Sequence, residues 1–332
     1  MLTLSPVITV SYGVKSAFLV LSILEFSLGI LVNSFIVLVN LWDVVRRQPL
    51  SHCNLVLLCL SLTRLFLHGL LFLEAIQLIY FQKMKDPLTL SYQTIILLWM
   101  IVEQASLWLA TCLSLLYCSK IIRFSHICLV HLARWVSQRM GQLVLGAVFS
   151  SAVCTVFCLG CYFNQTGFLD NSVFFLNGSA EQALQVPKLN LFFHSFLYCS
   201  LNTVPTFLTL LGSSGLLIVS LGRHLKTMRA SSRGDGDPSL EAHIRALKSL
   251  VPFLCLYIVS FGAALLSLPL LLLWHKKVGV MVCVGVMAAC PSGHAIILIT
   301  GNPKLRRAVR SLLVWAQSIR KVRVESRKSV LC

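Results

Sequence analysis

The sequence predicts an all-α membrane protein: a bundle of seven transmembrane helices, N-terminus outside and C-terminus inside. Three observations carry that reading. Of 332 residues, 57% are hydrophobic and only 12% charged, with mean hydropathy +0.84; a soluble domain carries about 25% charged residues. A core alone cannot absorb so much apolar surface, so lipid must serve as the solvent. The apolar residues also fall into seven runs of spanning length, and the basic residues gather on one side of them.

The runs lie at about 16–42, 54–80, 94–119, 140–163, 189–221, 247–274 and 278–300, followed by a cytoplasmic tail at 301–332, all in one domain. The first, Ala17 to Trp42, is too long for the apolar core of a signal peptide and long enough to cross a bilayer. The third carries Trp99 and Glu103 near one end and Tyr117, Lys120 and Arg123 near the other. Glu103 and Lys120 are then roughly 25 Å apart along a helix. The fifth contains Pro205, the sixth Pro252 and Pro269, and the seventh Pro291; each removes a backbone bond and permits a kink. A polar break at His275-Lys276-Lys277 precedes the seventh and could instead be a kink. Ser231 to Ser239 is rich in turn residues. From Pro303 to Ala316 the tail can form an amphipathic basic helix, with Leu305, Val309, Leu312 and Leu313 on one face, suited to the inner leaflet.

Orientation follows from charge. Alternate loops and the tail hold Arg46, Arg47, Arg123, Arg134, Arg139, Arg223, Lys226, Lys248, Arg306, Arg307 and further basic residues. The other side holds only Lys15, Lys83, Lys85, Lys188, Lys276 and Lys277. The basic side is cytoplasmic. The sequons at Asn164 and Asn177 both fall in the one long loop placed outside. The net charge of +17 therefore reads as a cytoplasmic excess and not as a nucleic-acid surface. Most of the 13 cysteines sit within apolar runs and read as small buried thiols. The long outside loop has no cysteine, so no disulfide can tie it to span 3.

Charges inside the spans need partners. Arg64 lies mid-span 2, where an unpartnered arginine costs several kcal/mol. Asn33 in span 1, at comparable depth, is the first candidate, with His294 and Ser292 in span 7 next. Asn33, Arg64 and His294 thus form an expected intramembrane polar hub, either a switch or a fixed clamp. Glu25, Glu74 and Glu103 all fall in the outer half. Trp99, Glu103, Ser106 and Ala110 recur at steps of three or four and form one stripe of mixed polarity, which should face the bundle interior. There it can wall a pocket, with Trp99 as a stacking face and Glu103 as an acceptor; alternatively Glu103 bonds a neighbouring helix. No GxSxG, HExxH or glycine-rich phosphate loop occurs, so neither an enzyme, a metal site nor a cofactor is expected. A small-solute transporter or channel subunit is the alternative class, against which the lack of an internal repeat counts.

Particular motifs narrow the class. Span 3 lacks an Asp-Arg-Tyr end and span 7 an Asn-Pro-x-x-Tyr. Instead span 3 reads Trp108, Thr111, Cys112, Leu113, Tyr117, Lys120, Ile121, Phe124 and Ser125. Span 5 ends Leu217-Ile218-Val219-Ser220-Leu221-Gly222-Arg223-His224, with Met228 beyond. The next loop carries His243-Ile244-Arg245-Ala246-Leu247-Lys248, and span 7 closes on His294 through Ile299, then Asn302-Pro303-Lys304-Leu305. In these stretches the chain resembles the type 2 (bitter) taste receptor family. Runs such as Trp42-Asp43-Val44-Val45 and Met281 to Gly285 resemble its thiourea-type members.

That resemblance implies a G-protein-coupled receptor of the plasma membrane. It implies a small bitter ligand, thiourea-like agonists, and a gustducin-type heterotrimeric G protein acting through phospholipase C and calcium. It is compatible with homo- or hetero-oligomers. By position it implies pocket walls at Trp99, Met100, Glu103, Leu197, Leu201, Phe261, Leu265, Val284 and Met287. It implies a G-protein face at Tyr117, Lys120, Arg123, His224, Met228, His243 and Lys248. Thr63 and Ala295 stand where the family usually has serine, and Glu103 where the thiourea-type relative has a neutral amide.

Overall fold

Lipid offers backbone groups no hydrogen bonds, so a chain this apolar must satisfy them within helices. The computed structural model describes residues 10–48, 51–80, 89–121, 180–231 and 238–331, with scattered residues between 138 and 160. Those residues contain no strand. They form α1 (Tyr12–Val45), α2 (His52–Tyr80), α3 (Leu90–Ile121), α4 (Ala180–Leu201), α5 (Val204–Ser231), α6 (Pro238–Leu272), α7 (Lys277–Gly301) and α8 (Pro303–Leu331). Six helical stretches among them are long and apolar enough to cross a membrane, α4 and α5 together supplying one. Half of 140–163, the expected fourth span, lies outside the described residues, as do Arg123, Asn164 and Asn177.

Local chemistry sets the breaks. Pro205 has no N–H to offer the Leu201 carbonyl, so the helix cannot run straight through. The chain tightens instead: Thr203 donates from both its N–H (3.0 Å) and its hydroxyl (2.6 Å) to the Ser200 carbonyl. This separates α4 from α5. Pro252, Pro269 and Pro291 lie inside α6 and α7. The His275–Lys277 stretch is a break, with α6 ending at Leu272 and His275 in the left-handed region (φ 54°). Arg47 (φ 54°) turns the chain out of α1, where the guanidinium of Arg46 lies 4.8 Å from the Trp42 ring. At the start of α8, Asn302 accepts from the Lys304 N–H at 2.9 Å and Pro303 takes the first helical position, a favourable cap.

Packing is inverted relative to a soluble protein. Leu31 (68% exposed), Phe66 (70%), Tyr198 (65%) and Leu216 (62%) face outward, while Asn33, Ser61, Arg64, His68 and His294 are buried. α7 packs against α6, α1 and α2, and α2 also against α1 and α3; α5 joins α3 to α6. One apolar cluster, around Leu71, Trp99, Phe192, Leu271 and Val284, fills the end of the bundle opposite the basic loops. A second, around Ile36, Leu60, Leu113, Leu116, Leu298 and Leu305, fills the basic end and anchors α8. Small polar residues join α3 to α5: Ser114 lies 2.9 Å from Ser214 and 3.0 Å from Ser213, and the Cys118 thiol donates to the Ser213 carbonyl at 3.2 Å. Gly29 lets α1 approach α2 so closely that an added Cβ would sit 2.3 Å from the His68 ring. At the root of α8, Lys304 donates to Asn40 Oδ1 at 2.9 Å and pairs with the Asp43 carboxylate.

Candidate functional site

The stripe on α3 organises two cavities. Trp99, Ser106 and Ala110 are buried and Glu103 is half-buried, so this face looks inward. Trp99 and Glu103 wall a cavity of about 40 Å³ in the half of the bundle away from the basic loops. Ala110 walls a second, of about 290 Å³, at the basic end.

The smaller cavity lies between α3, the α4–α5 break and α6. Trp99, Met100, Glu103, Gln104 and Leu107 form one side; Ser200, Thr203 and Phe207 come from the break; Tyr257, Ser260, Phe261, Ala264 and Leu265 complete it. Phe207 and Phe261 stack at 4.0 Å and 13°, a flat aromatic wall. The Trp99 Nε1 and the Gln104 Oε1 are buried with no hydrogen-bond partner among the described residues. Of the pocket residues expected by position, Trp99, Met100, Glu103, Phe261 and Leu265 line this cavity. Leu197, Leu201, Val284 and Met287 do not. The last turn of α4 presents Ser200 to the cavity and leaves Leu201 65% exposed. Val284 lines a separate crevice with Glu25 and His68, and Met287 is buried in the apolar cluster around Trp99.

Between the cavities sits Arg64, fully buried on α2. Its Nη2 donates to the Tyr257 hydroxyl at 2.8 Å and to His294 Nδ1. Asn33 does not take the role expected of it. Its Nδ2 turns back to the Gly29 carbonyl on its own helix, at 2.9 Å. Ser292 does not reach Arg64 either; it lies 3.3 Å from His68 Nε2. The hub of this structure is therefore Arg64 with Tyr257 and His294. Tyr257 lines the smaller cavity and His294 the larger, so one arginine bridges them. Phe253 braces the bridge, 5.0 Å from the Tyr257 ring and 4.4 Å from that of His294.

The larger cavity takes Cys53 from α2, Ala110, Leu113, Ser114 and Tyr117 from α3, and Leu217 from α5. Ser249, Leu250 and Phe253 come from α6, His294, Ile297, Leu298 and Gly301 from α7, followed by Asn302 and Pro303. Tyr117 thus faces a cavity. His224 and Lys248 are exposed, on α5 and α6. Lys120, Met228 and His243 lie on α3, α5 and α6, with side chains outside the described part.

Sequence reasoning missed Tyr257, Gln104 and Ser200. Phe253, Tyr257, Ser260, Phe261 and Ala264 recur at helical spacing and form a second mixed stripe, which was the available signal for Tyr257. His68 and its glycine partner left none.

Comparison with known proteins bears on the same bundle. Residues 11–317 match the family described as taste receptor protein (TAS2R). Taste receptor type 2 member 7 of Papio hamadryas is 32% identical over 330 residues, covering 96% of this chain and 99% of that one. The Macaca mulatta member 7 is 32% identical over 323 residues, 93% of this chain and 96% of its own. Taste receptor type 2 member 1 of Chlorocebus aethiops is 31% identical over 304 residues, 89% and 95% of the two chains.

Proposed function

The chain belongs to the taste receptor type 2 family, and from that membership we propose that it is a bitter receptor coupling a small ligand to a heterotrimeric G protein. The agonist enters the cavity walled by Trp99, Glu103 and Phe261 from outside the cell. The basic end of the bundle faces the cytoplasm, as its arginines and lysines require. The single observation that carries the reading is the bridge from Tyr257 through Arg64 to His294, which joins the two cavities.

A ligand shifts the bundle only by as much as it prefers one conformation. Any agonist that moves α6 at Phe261 or Tyr257 works directly on the Arg64 bond, and hence on α7 at His294. The cytoplasmic cavity and the surrounding face at Tyr117, Lys120, Arg123, His224, Met228, His243 and Lys248 then receive a gustducin-type G protein, with phospholipase C and calcium release downstream. Runs such as Trp42-Asp43-Val44-Val45 resemble the thiourea-type receptor, taste receptor type 2 member 38, and support thiourea-like agonists, while Glu103, where that receptor has a neutral amide, sets this chain's pocket apart. The two sequons support N-glycosylation of an outward loop at Asn164 and Asn177 in a plasma-membrane protein.

The test is calcium release in cells expressing this chain with a gustducin-like chimaeric G protein, over a panel of bitter compounds. Responses that vanish without the chimaera are expected. Solute flux with no G-protein requirement would contradict the reading.

A further inference from the structure

We propose that the cavity beside Trp99 is a subsite for the cationic head of its ligand: a protonated amine or amidinium on a flat apolar body. The inference rests on the receptor reading and names the class of ligand that this chain's cavity takes.

Charge favours a cation in this cavity. Glu103 is the one carboxylate among the cavity's described lining residues, which include no lysine, arginine or histidine. Arg64 stands close enough to act electrostatically on Glu103, but the bonds it donates go to Tyr257 and His294, one layer deeper. Hydrogen bonding favours a cation as well. Gln104 is 7% exposed and its Oε1 has no partner among the described residues, so a buried acceptor stands next in sequence to the acid on the same cavity. A buried acceptor left without a donor is costly, and a charged donor satisfies it best. Among the described lining atoms that are fully buried, one donor is left unpartnered, the Trp99 Nε1.

The wall fits a cation too. An indole face binds cations through its quadrupole, and the Phe207–Phe261 pair, stacked on each other, adds a flat apolar face. At about 40 Å³ the cavity holds a compact head group and no more. The acid lies between helices in a medium poor in water, where charge pairing is strengthened.

The test uses a planar pair of the same shape, benzamidine (cationic) and thiobenzamide (neutral). Their binding to the purified full-length receptor in nanodiscs is measured by calorimetry, with empty nanodiscs as blank. Wild type should bind benzamidine at least tenfold more tightly. Glu103→Gln should erase that preference while thiobenzamide affinity stays within threefold. Gln104→Leu, which leaves the acid in place, should reduce the preference partially, so the proposal does not hang on one variant. Benzamidine binding wild type no more tightly than thiobenzamide, or a preference that survives Glu103→Gln, overturns the cation subsite. If instead benzamidine binds as expected but evokes no G-protein-dependent calcium release, the subsite stands and the receptor reading falls.

Discussion

Removing one oxygen atom from Tyr257 probes the bridge between the cavities. In Tyr257→Phe the ring keeps its packing against Phe253 and His294, but Arg64 loses the acceptor it meets at 2.8 Å. Its Nε and Nη1 have no partner among the described residues, so among these the His294 bond alone remains on this buried cation. A hydrogen bond from a charged donor contributes about 1.5–3 kcal/mol. Taking about 1.5 kcal/mol as the part that distinguishes the clamped bundle from the coupled one gives roughly a tenfold change in their ratio. A coupled state populated at about 1% then rises to roughly 10%. The assay is inositol phosphate accumulation without agonist, divided by surface receptor counted through an N-terminal tag. Basal signal should rise several-fold with surface number preserved. His294→Asn should raise it as well, and the double variant should fall well short of the product of the two effects, because both act through Arg64. An unchanged basal signal at normal surface number, or multiplicative effects, would refute a clamp at Arg64.

Other consequences follow from particular contacts. Gly29→Ala places a Cβ within 2.3 Å of the His68 ring; overpacking of this kind costs about 1–3 kcal/mol or more, so surface expression should fall sharply and recover in Gly29→Ala/His68→Ala. Asp43→Asn removes the anchor of Lys304, but the partners are 22% and 30% exposed, so the loss should stay below about 1 kcal/mol, read as a small drop in melting temperature at low salt that shrinks at high salt. Ser114→Ala takes a hydroxyl from the α3–α5 seam and should cost roughly 0.6 kcal/mol in detergent unfolding. Lys120→Ala should lower agonist efficacy while leaving agonist affinity of the uncoupled receptor within about twofold; loss of binding would show that this end of α3 does not face the G protein.

The bundle was legible because lipid imposes a simple rule: runs of about 20 apolar residues must become helices. The α3 stripe was legible for the same reason, since a lone acid and a tryptophan at helical spacing have few faces to occupy. Arg64 announced that it needed partners, and His294 was among those named. Depth along a span can be read from the sequence, but rotation about the helix axis cannot, and rotation decides that Tyr257 meets Arg64 while Asn33 folds back on Gly29. Leu201 failed as a pocket wall through a related cause. Pro205 marked the break, but not that the turn before it would present Ser200. The cavity at the basic end had no signature at all. It is a gap between α2, α3, α5, α6, α7 and the start of α8, and Ser249, Asn302 and Pro303 become its neighbours only through packing.

In the proposed receptor, a ligand beside Trp99 and a G protein at the basic end are coupled through one bridge. Linkage makes that coupling reciprocal, so the G protein must change agonist affinity as much as agonist changes G-protein affinity. The direct measurement is agonist binding to the purified receptor in nanodiscs, with and without nucleotide-free gustducin-type G protein. Agonist affinity should rise about 5- to 150-fold when the G protein is present, and Tyr257→Phe should shrink that factor by raising affinity in its absence. Identical affinity with and without the G protein, in a receptor that binds both, would contradict the account.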